Sequence, residues 1–265
     1  MSFDFGIFTI LAPAFAAGAI ISLVHVPLGI EVLKRGIIFL DLAVAQFAAL
    51  GMVAFHVFFE NHEMDPRYAA AGSLLFGLCL SLACALGLHV LEKRAGRYQE
   101  ALIGSAFVFA ASLAILVMAG DPHSGEQMND IMAGQVLWIT WRDLMIYSPV
   151  FVMAAGLWAF FKRQRGHLFY ILFALTIPFS VSLIGVYLVF ASLILPALGS
   201  LAYSEKGRVA AAYMISITAI GGGLVLSTLT DTPTGPAIVC MYPLAALISY
   251  ALANLQFLFH RSRSS

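Results

Sequence analysis

Long apolar runs separated by short charged loops set the pattern of this chain. A membrane crossing by a helix takes about 20 mostly apolar residues. Runs of that kind occupy about 6–28, 37–59, 68–91, 101–120, 143–161, 168–203, 209–229 and 235–259. The loops between them alternate in sign. Lys34/Arg35, Lys93/Arg94/Arg97, Lys162/Arg163/Arg165, Lys206/Arg208 and Arg261/Arg263 mark one side, and Glu60/Glu63/Asp65, Asp121/Glu126/Asp130 and Asp231 mark the other. Basic loops stay in the cytoplasm, so the pattern predicts an N-terminus outside and a C-terminus inside.

The run at 168–203 is flanked by basic residues at both ends, so it must enter the membrane and return. At about 1.5 Å per helical residue it is too long for one crossing and too short for two full ones. Shortened helices or a re-entrant pair are expected, with Pro178, Gly185 and Pro196 as break points and Ser180 and Ser182 placed to satisfy freed backbone groups. Broken backbone at membrane depth persists only inside protein or beside a water-filled cavity. Residues 178–196 are therefore expected to line a path, the alternative being two short helices packed in a bundle core. The predicted fold class is all-α, a polytopic membrane bundle of eight to nine segments that include the broken pair. No tandem repeat or hydrophilic linker divides the chain, which predicts a single transmembrane domain over 1–265. Small residues cluster at 11–19, 69–73, 210–212 and 221–223, where they would let helices approach closely.

Composition agrees with this pattern and excludes some functions. Hydrophobic residues make up 61% of the chain and charged ones 11%, against about 25% charged in a soluble domain; mean hydropathy is +0.93. The formal net charge is zero, which speaks against a nucleic-acid partner. Cys79, Cys84 and Cys240 lie in apolar runs and form no CxxC site or disulfide framework. No basic leader precedes the first run, so no cleaved signal peptide is expected.

Residues 29–51, GIEVLKRGIIFLDLAVAQFAALG, carry the densest candidate chemistry. Lys34 and Arg35 sit between two apolar runs, and Asp41 and Gln46 lie just inside the second. A carboxylate at the centre of a membrane helix costs roughly 2.5–3.5 kcal/mol on insertion scales, so such a group usually faces protein, a partner or an aqueous route. The alternative is an interfacial Asp41 neutralised by Lys34 or Arg35. The outer loops hold His56, Glu60, His62, Glu63 and Asp65, and then Asp121, His123, Glu126 and Asp130. Imidazole with carboxylate suits zinc, manganese or iron, although any solvated loop contains the same residue types. His56 and Glu60 are four apart and share a face if the helix extends that far. His25 and His89, near the inner ends of their runs, read as interfacial or bundle-packed. No GxxxxGK[ST], HExxH or GxSxG occurs, so no catalytic residue, no enzyme activity and no tightly bound cofactor are expected.

Five stretches in order resemble the membrane permease of bacterial metal-uptake ABC transporters: 27–51, 92–116, 132–144 (MAGQVLWITWRDL), 183–202 (LIGVYLVFASLILPALGSLA) and 224–239 (LVLSTLTDTPTGPAIV). The resemblance implies a homodimeric permease in the bacterial inner membrane for zinc, manganese or iron. It also implies a separate cytoplasmic ATPase and an external metal-binding protein, with lipid around the helices. The metal would be cargo, passing by Asp41, Gln46, His56, Glu60, His62, His123 and Glu126 as pathway or entrance candidates. A permease for a metal chelate and an ion-driven secondary transporter are the rival readings, though the paired halves expected of the latter are not apparent. Departures from the family pattern concern the site. Members often carry Gly-Asp and a histidine four residues after the Asp. Aligned on Gly51, Gln46 replaces that histidine, Leu42 takes the place of the Asp, and Asp41 comes one residue early, a rotation of about 100°. Gln135 stands where an Asp is common, and the turn at 162–167 is short.

Overall fold

The computed structural model describes residues 5–59, 64–95, 98–119, 124–161 and 165–262; side chains at 5–8, 92–95, 124–128, 165–167 and 254–262 are outside this description. Nine α-helices follow one another in the described residues: α1 (Phe5–Arg35), α2 (Leu40–Phe59), α3 (Pro66–Ala95), α4 (Gln99–Met118), α5 (Ser124–Ala133), α6 (Trp141–Phe160), α7 (Arg165–Gly199), α8 (Glu205–Thr230) and α9 (Thr234–Ser262). Short 3-10 turns at Val136–Trp138 and Ser200–Ala202 join α5 to α6 and α7 to α8. Eight of the helices are long and apolar enough to cross a membrane, α5 being the exception. The all-α polytopic expectation holds, and each apolar run of the sequence becomes a helix.

Burial separates the helices by role. In their most apolar windows, 72% of α7 and 61% of α2 are buried, against 22% for α3, α4, α6 and α9. Lipid tails are as apolar as leucine, so outward faces such as Ile115, Leu116, Leu247 and Ile248 stay exposed at little cost. What joins helices in this setting is close packing and hydrogen bonding.

The chain's contacts form two compact units: one of Met1–Gly36, Gln135–Val152 and Phe190–Ser265, the other of Ile37–Gly134 and Met153–Val189. In the first, α8 packs on α1 and α9. Glycine makes the approach possible: a Cβ at Gly223 would overlap the backbone of Ile238, and one at Gly18 would press on the Ile220 side chain. In the second unit α2 packs on α3 and α4; a Cβ at Gly72 would overlap the ring of Phe55, itself stacked with Phe59 and tilted against Phe76. Three of the four small-residue clusters thus contain glycines that meet a neighbouring helix.

The expected broken segment is α7. Its 35 residues would measure about 52 Å as one straight helix, well beyond a hydrocarbon core of about 30 Å. The break is at Gly185, whose φ of 76° and ψ of 163° are non-helical. That conformation is essentially restricted to glycine. The piece before it is about 30 Å long and spans a bilayer; the piece after it, about 21 Å, does not.

Pro178 and Pro196 do not break the helix. Pro178 has no N–H for the Ala174 carbonyl, and Ser81 on α3 donates its hydroxyl to that oxygen instead, at 3.1 Å. Ser180, expected to serve the freed backbone, donates to the Thr176 carbonyl at 3.0 Å. The compensation comes from a neighbouring helix, which local sequence does not reveal.

Candidate functional site

Asp41 occupies the first turn of α2 and is fully buried. Its carboxyl lies over the N–H groups of Asp41 and Leu42 without closing a hydrogen bond, so both oxygens are without a partner. Of the basic residues considered as partners, Arg35 pairs with Glu31 on its own helix at 3.0 Å; Glu100, within the same unit as Asp41, adds a like charge to the effect of burial. Glu100 stands in the first turn of α4. One of its oxygens accepts the Ile38 N–H at 2.9 Å, and the other is buried without a partner.

Gln46 is also buried. Its Nε2 donates to the Met132 sulfur at 3.4 Å, a weak acceptor. Asp41 and Gln46 are five residues apart, an angular offset of about 140° on a helix. They serve different surroundings and do not make a shared donor set. His56 lies in the last turn of α2, half-buried. Glu60, His62 and His123 fall outside the described residues. Glu126 is on the helical backbone of α5, its side chain outside the description. Among the described residues no group of three His, Cys, Asp or Glu comes together.

The two inner histidines are bundle-packed. His25 is fully buried on α1, with Nδ1 2.7 Å from the Ser192 hydroxyl on the short second piece of α7. One turn on, a Cβ at Gly29 would overlap the Leu193 carbonyl, so these two helices touch along two successive levels. His89 packs on Tyr170, ring centroids 4.5 Å apart. On the acidic side of the loop pattern, Asp65 is held by Arg67, whose guanidinium donates at 3.0 and 3.2 Å and whose backbone N–H donates at 2.9 Å. Those bonds keep the Asp65 carboxyl below the usual carboxylate range.

Two features went unnoticed in the sequence. One is Glu100, a charge at the mouth of an apolar run just as Asp41 is. That shared position was the available signal. The other is the meeting of Gly134 and Gly185. Both have positive φ, 73° and 76°, and a Cβ on either would overlap the backbone around the other. Gly134 belongs to the MAGQVL stretch that follows α5, so the α7 break and the end of that loop are fitted backbone to backbone.

The eight long apolar helices, one of them broken, describe a multi-pass membrane protein, with a buried carboxyl in the first turn of α2. A solved structure described as PsaBC from Streptococcus pneumoniae in complex with Fab is similar in fold, with a TM-score of 0.69 and 21% identity over 92% of this chain and 91% of that one. The High-affinity zinc uptake system membrane protein ZnuB of Haemophilus influenzae is 27% identical over 257 residues, covering 88% of this chain and 93% of the relative. The Manganese transport system membrane protein MntC of Halalkalibacterium halodurans is 22% identical over 280 residues, covering 95% and 88%. Matches over residues 7–166 and 162–253 take in nearly the whole chain, and by them it belongs to the ABC 3 transport family.

Proposed function

We propose that this protein is the membrane-spanning permease of an ABC importer for a divalent metal ion, zinc or manganese in the first instance. The observation that carries the reading is the family match along nearly the whole chain, joined to relatives whose names state zinc uptake and manganese transport. The chain works as one permease domain in the inner membrane, N-terminus outside and C-terminus cytoplasmic, and as a homodimer. It has no phosphate-binding loop of the Walker type, so a separate cytoplasmic ATPase supplies the driving force, and an external binding protein delivers the ion. The metal is cargo, and no resident cofactor is needed.

Asp41 is the residue placed on the route. A carboxyl buried in a membrane segment and left without a hydrogen bond is costly, and such groups are typically kept for function. The segment from Pro196 to Arg208, which runs from the end of α7 into the start of α8, forms the proposed ATPase contact: Ser204 and Glu205 are exposed beside Lys206 and Arg208.

The test is metal uptake into liposomes holding the purified chain with and without its ATPase. Accumulation that needs both ATPase and ATP is expected. Accumulation by the chain alone, driven by a proton gradient, would put it among secondary transporters. Cysteines at Ser204 and Gly207 are expected to crosslink to the ATPase; labelling of either from outside overturns the orientation.

A further inference from the structure

We infer that Asp41 and Glu100 form one divalent-cation site built of oxygen donors alone, a way station on the route proposed above. The inference deepens that reading and rests on it for its place in transport.

Among the described residues, three buried oxygens in this corner of the structure have no hydrogen-bond partner: both of Asp41 and Oε2 of Glu100. The fourth, Glu100 Oε1, is taken by the Ile38 N–H, which ties the turn before α2 to the start of α4. Asp41 is completely buried, and the Glu100 carboxylate is held at Ile38, three residues before it. The two groups come from the first turns of two helices that pack together, α2 and α4.

Two helix N-termini offset some of this charge. Each supplies about half a positive charge, so among the described residues two carboxylates leave close to one negative charge uncompensated. A proton or a metal ion must supply the remainder, and the count of oxygens separates them. One carboxylic proton makes one O–H···O bond and leaves a third acceptor bare, whereas a single dication can take all three. Oxygen donors without imidazole or thiolate suit a hard ion such as manganese better than zinc. A dication overshoots the local deficit by about one charge, which weakens its hold. An ion on a path has to leave as readily as it arrives. With two protein ligands, the rest of the coordination shell falls to water.

The competing account is that both carboxyls only cap and steady their helices. The experiment is Mn2+ binding to the purified full-length chain in lipid nanodiscs, read as loss of the free-ion signal by electron paramagnetic resonance. The probe is Mn2+ alone, compared across wild type, Asp41→Asn, Glu100→Gln and Glu31→Gln. The last removes the same charge from a residue paired with Arg35. Binding by wild type and Glu31→Gln, weakened at least about tenfold in both Asp41→Asn and Glu100→Gln, is the expected result; even outer-sphere changes at metal sites cost that much. Absence of Mn2+ binding in wild type means the pair holds a proton only, and the inference fails. It fails equally if Glu100→Gln binds as wild type does, or if all three variants lose binding alike. Failure of the import reading looks different, since uptake would then be independent of the ATPase while Mn2+ binding persisted.

Discussion

The two units differ in the buried acids they hold. In the first, several buried groups are matched to one another, His25 with Ser192, Ser227 with Thr234 at 2.8 Å, and Ser216 with Tyr242 at 3.4 Å, while among the described residues Arg208 Nε is left without a partner. Tyr203 donates to the Ser249 carbonyl at 3.1 Å in the same unit. In the second unit the buried polar set includes an acid with no partner, half of another acid, and an amide resting on a thioether. Paired networks fix helices in register and have little left to offer a passing ion. Unpaired carboxyls are costly to keep, and in membrane segments such groups are usually kept for function. The difference makes the unpaired acids of the second unit the ones to test for a part in transport.

The largest expected effect concerns the break in α7, within the second unit. Gly185→Ala places a side chain at φ 76° and against the backbone of Gly134. The dihedral alone costs about 1–3 kcal/mol, and neither backbone has a flexible end that can move aside. We expect loss of folded protein in detergent, read by size-exclusion profile, and the same for Gly134→Ala. Gly87→Ala is the control: nothing lies within 4 Å of its Cβ position, and it should fold as well as wild type or slightly better.

Next comes Asp41→Asn, which is nearly isosteric and removes a buried charge. Folding and insertion are expected to be intact, with melting temperature equal to or above that of wild type, while uptake at matched expression falls about tenfold or more, in line with the loss of a metal ligand. Full activity would place Asp41 with the helix-capping acids and end the contrast between the units.

His25→Leu should do the reverse. It removes the bond to Ser192, worth about 1 kcal/mol, near the average measured for hydrogen bonds between membrane helices. A fall of a few degrees in melting temperature is expected, with unchanged uptake per folded molecule. If uptake fell while stability held, the first unit would also carry transport chemistry.

How much of this was legible beforehand depended on the range of the interaction. Hydrophobic runs and loop charges are local, and they predicted every spanning helix as well as the break at Gly185. The failure of Pro178 and Pro196 to break α7 was not legible, because Ser81 lies 93 positions from its acceptor Ala174. Asp41 stood out as a charge in an apolar run, yet the sequence offered Lys34 and Arg35 as its partners. Arg35 is held by Glu31 one turn away on its own helix, while Glu100, far along the chain, adds a like charge to the effect of burial on Asp41. Gln46 drew notice only through its place in the family pattern, and its pairing with Met132 is a tertiary fact.

Gln46 therefore supplies the smallest and most discriminating expectation. An amide donating to a thioether at 3.4 Å makes a weak bond, so its loss alone should cost well under 1 kcal/mol. Gln46→Leu keeps much of the volume and replaces both polar atoms by carbon, a change that is nearly neutral when no strong partner is abandoned. If the amide serves only to pack against Met132, Gln46→Leu will match wild type in both melting temperature and uptake. If its oxygen meets the ion elsewhere on the route, uptake will fall while stability holds, but by less than in Asp41→Asn, since a neutral amide oxygen is a poorer ligand for a dication than a carboxylate. A larger loss than Asp41→Asn would reverse the ranking of the two residues and move the centre of the route from the first turn of α2 to the level of Met132.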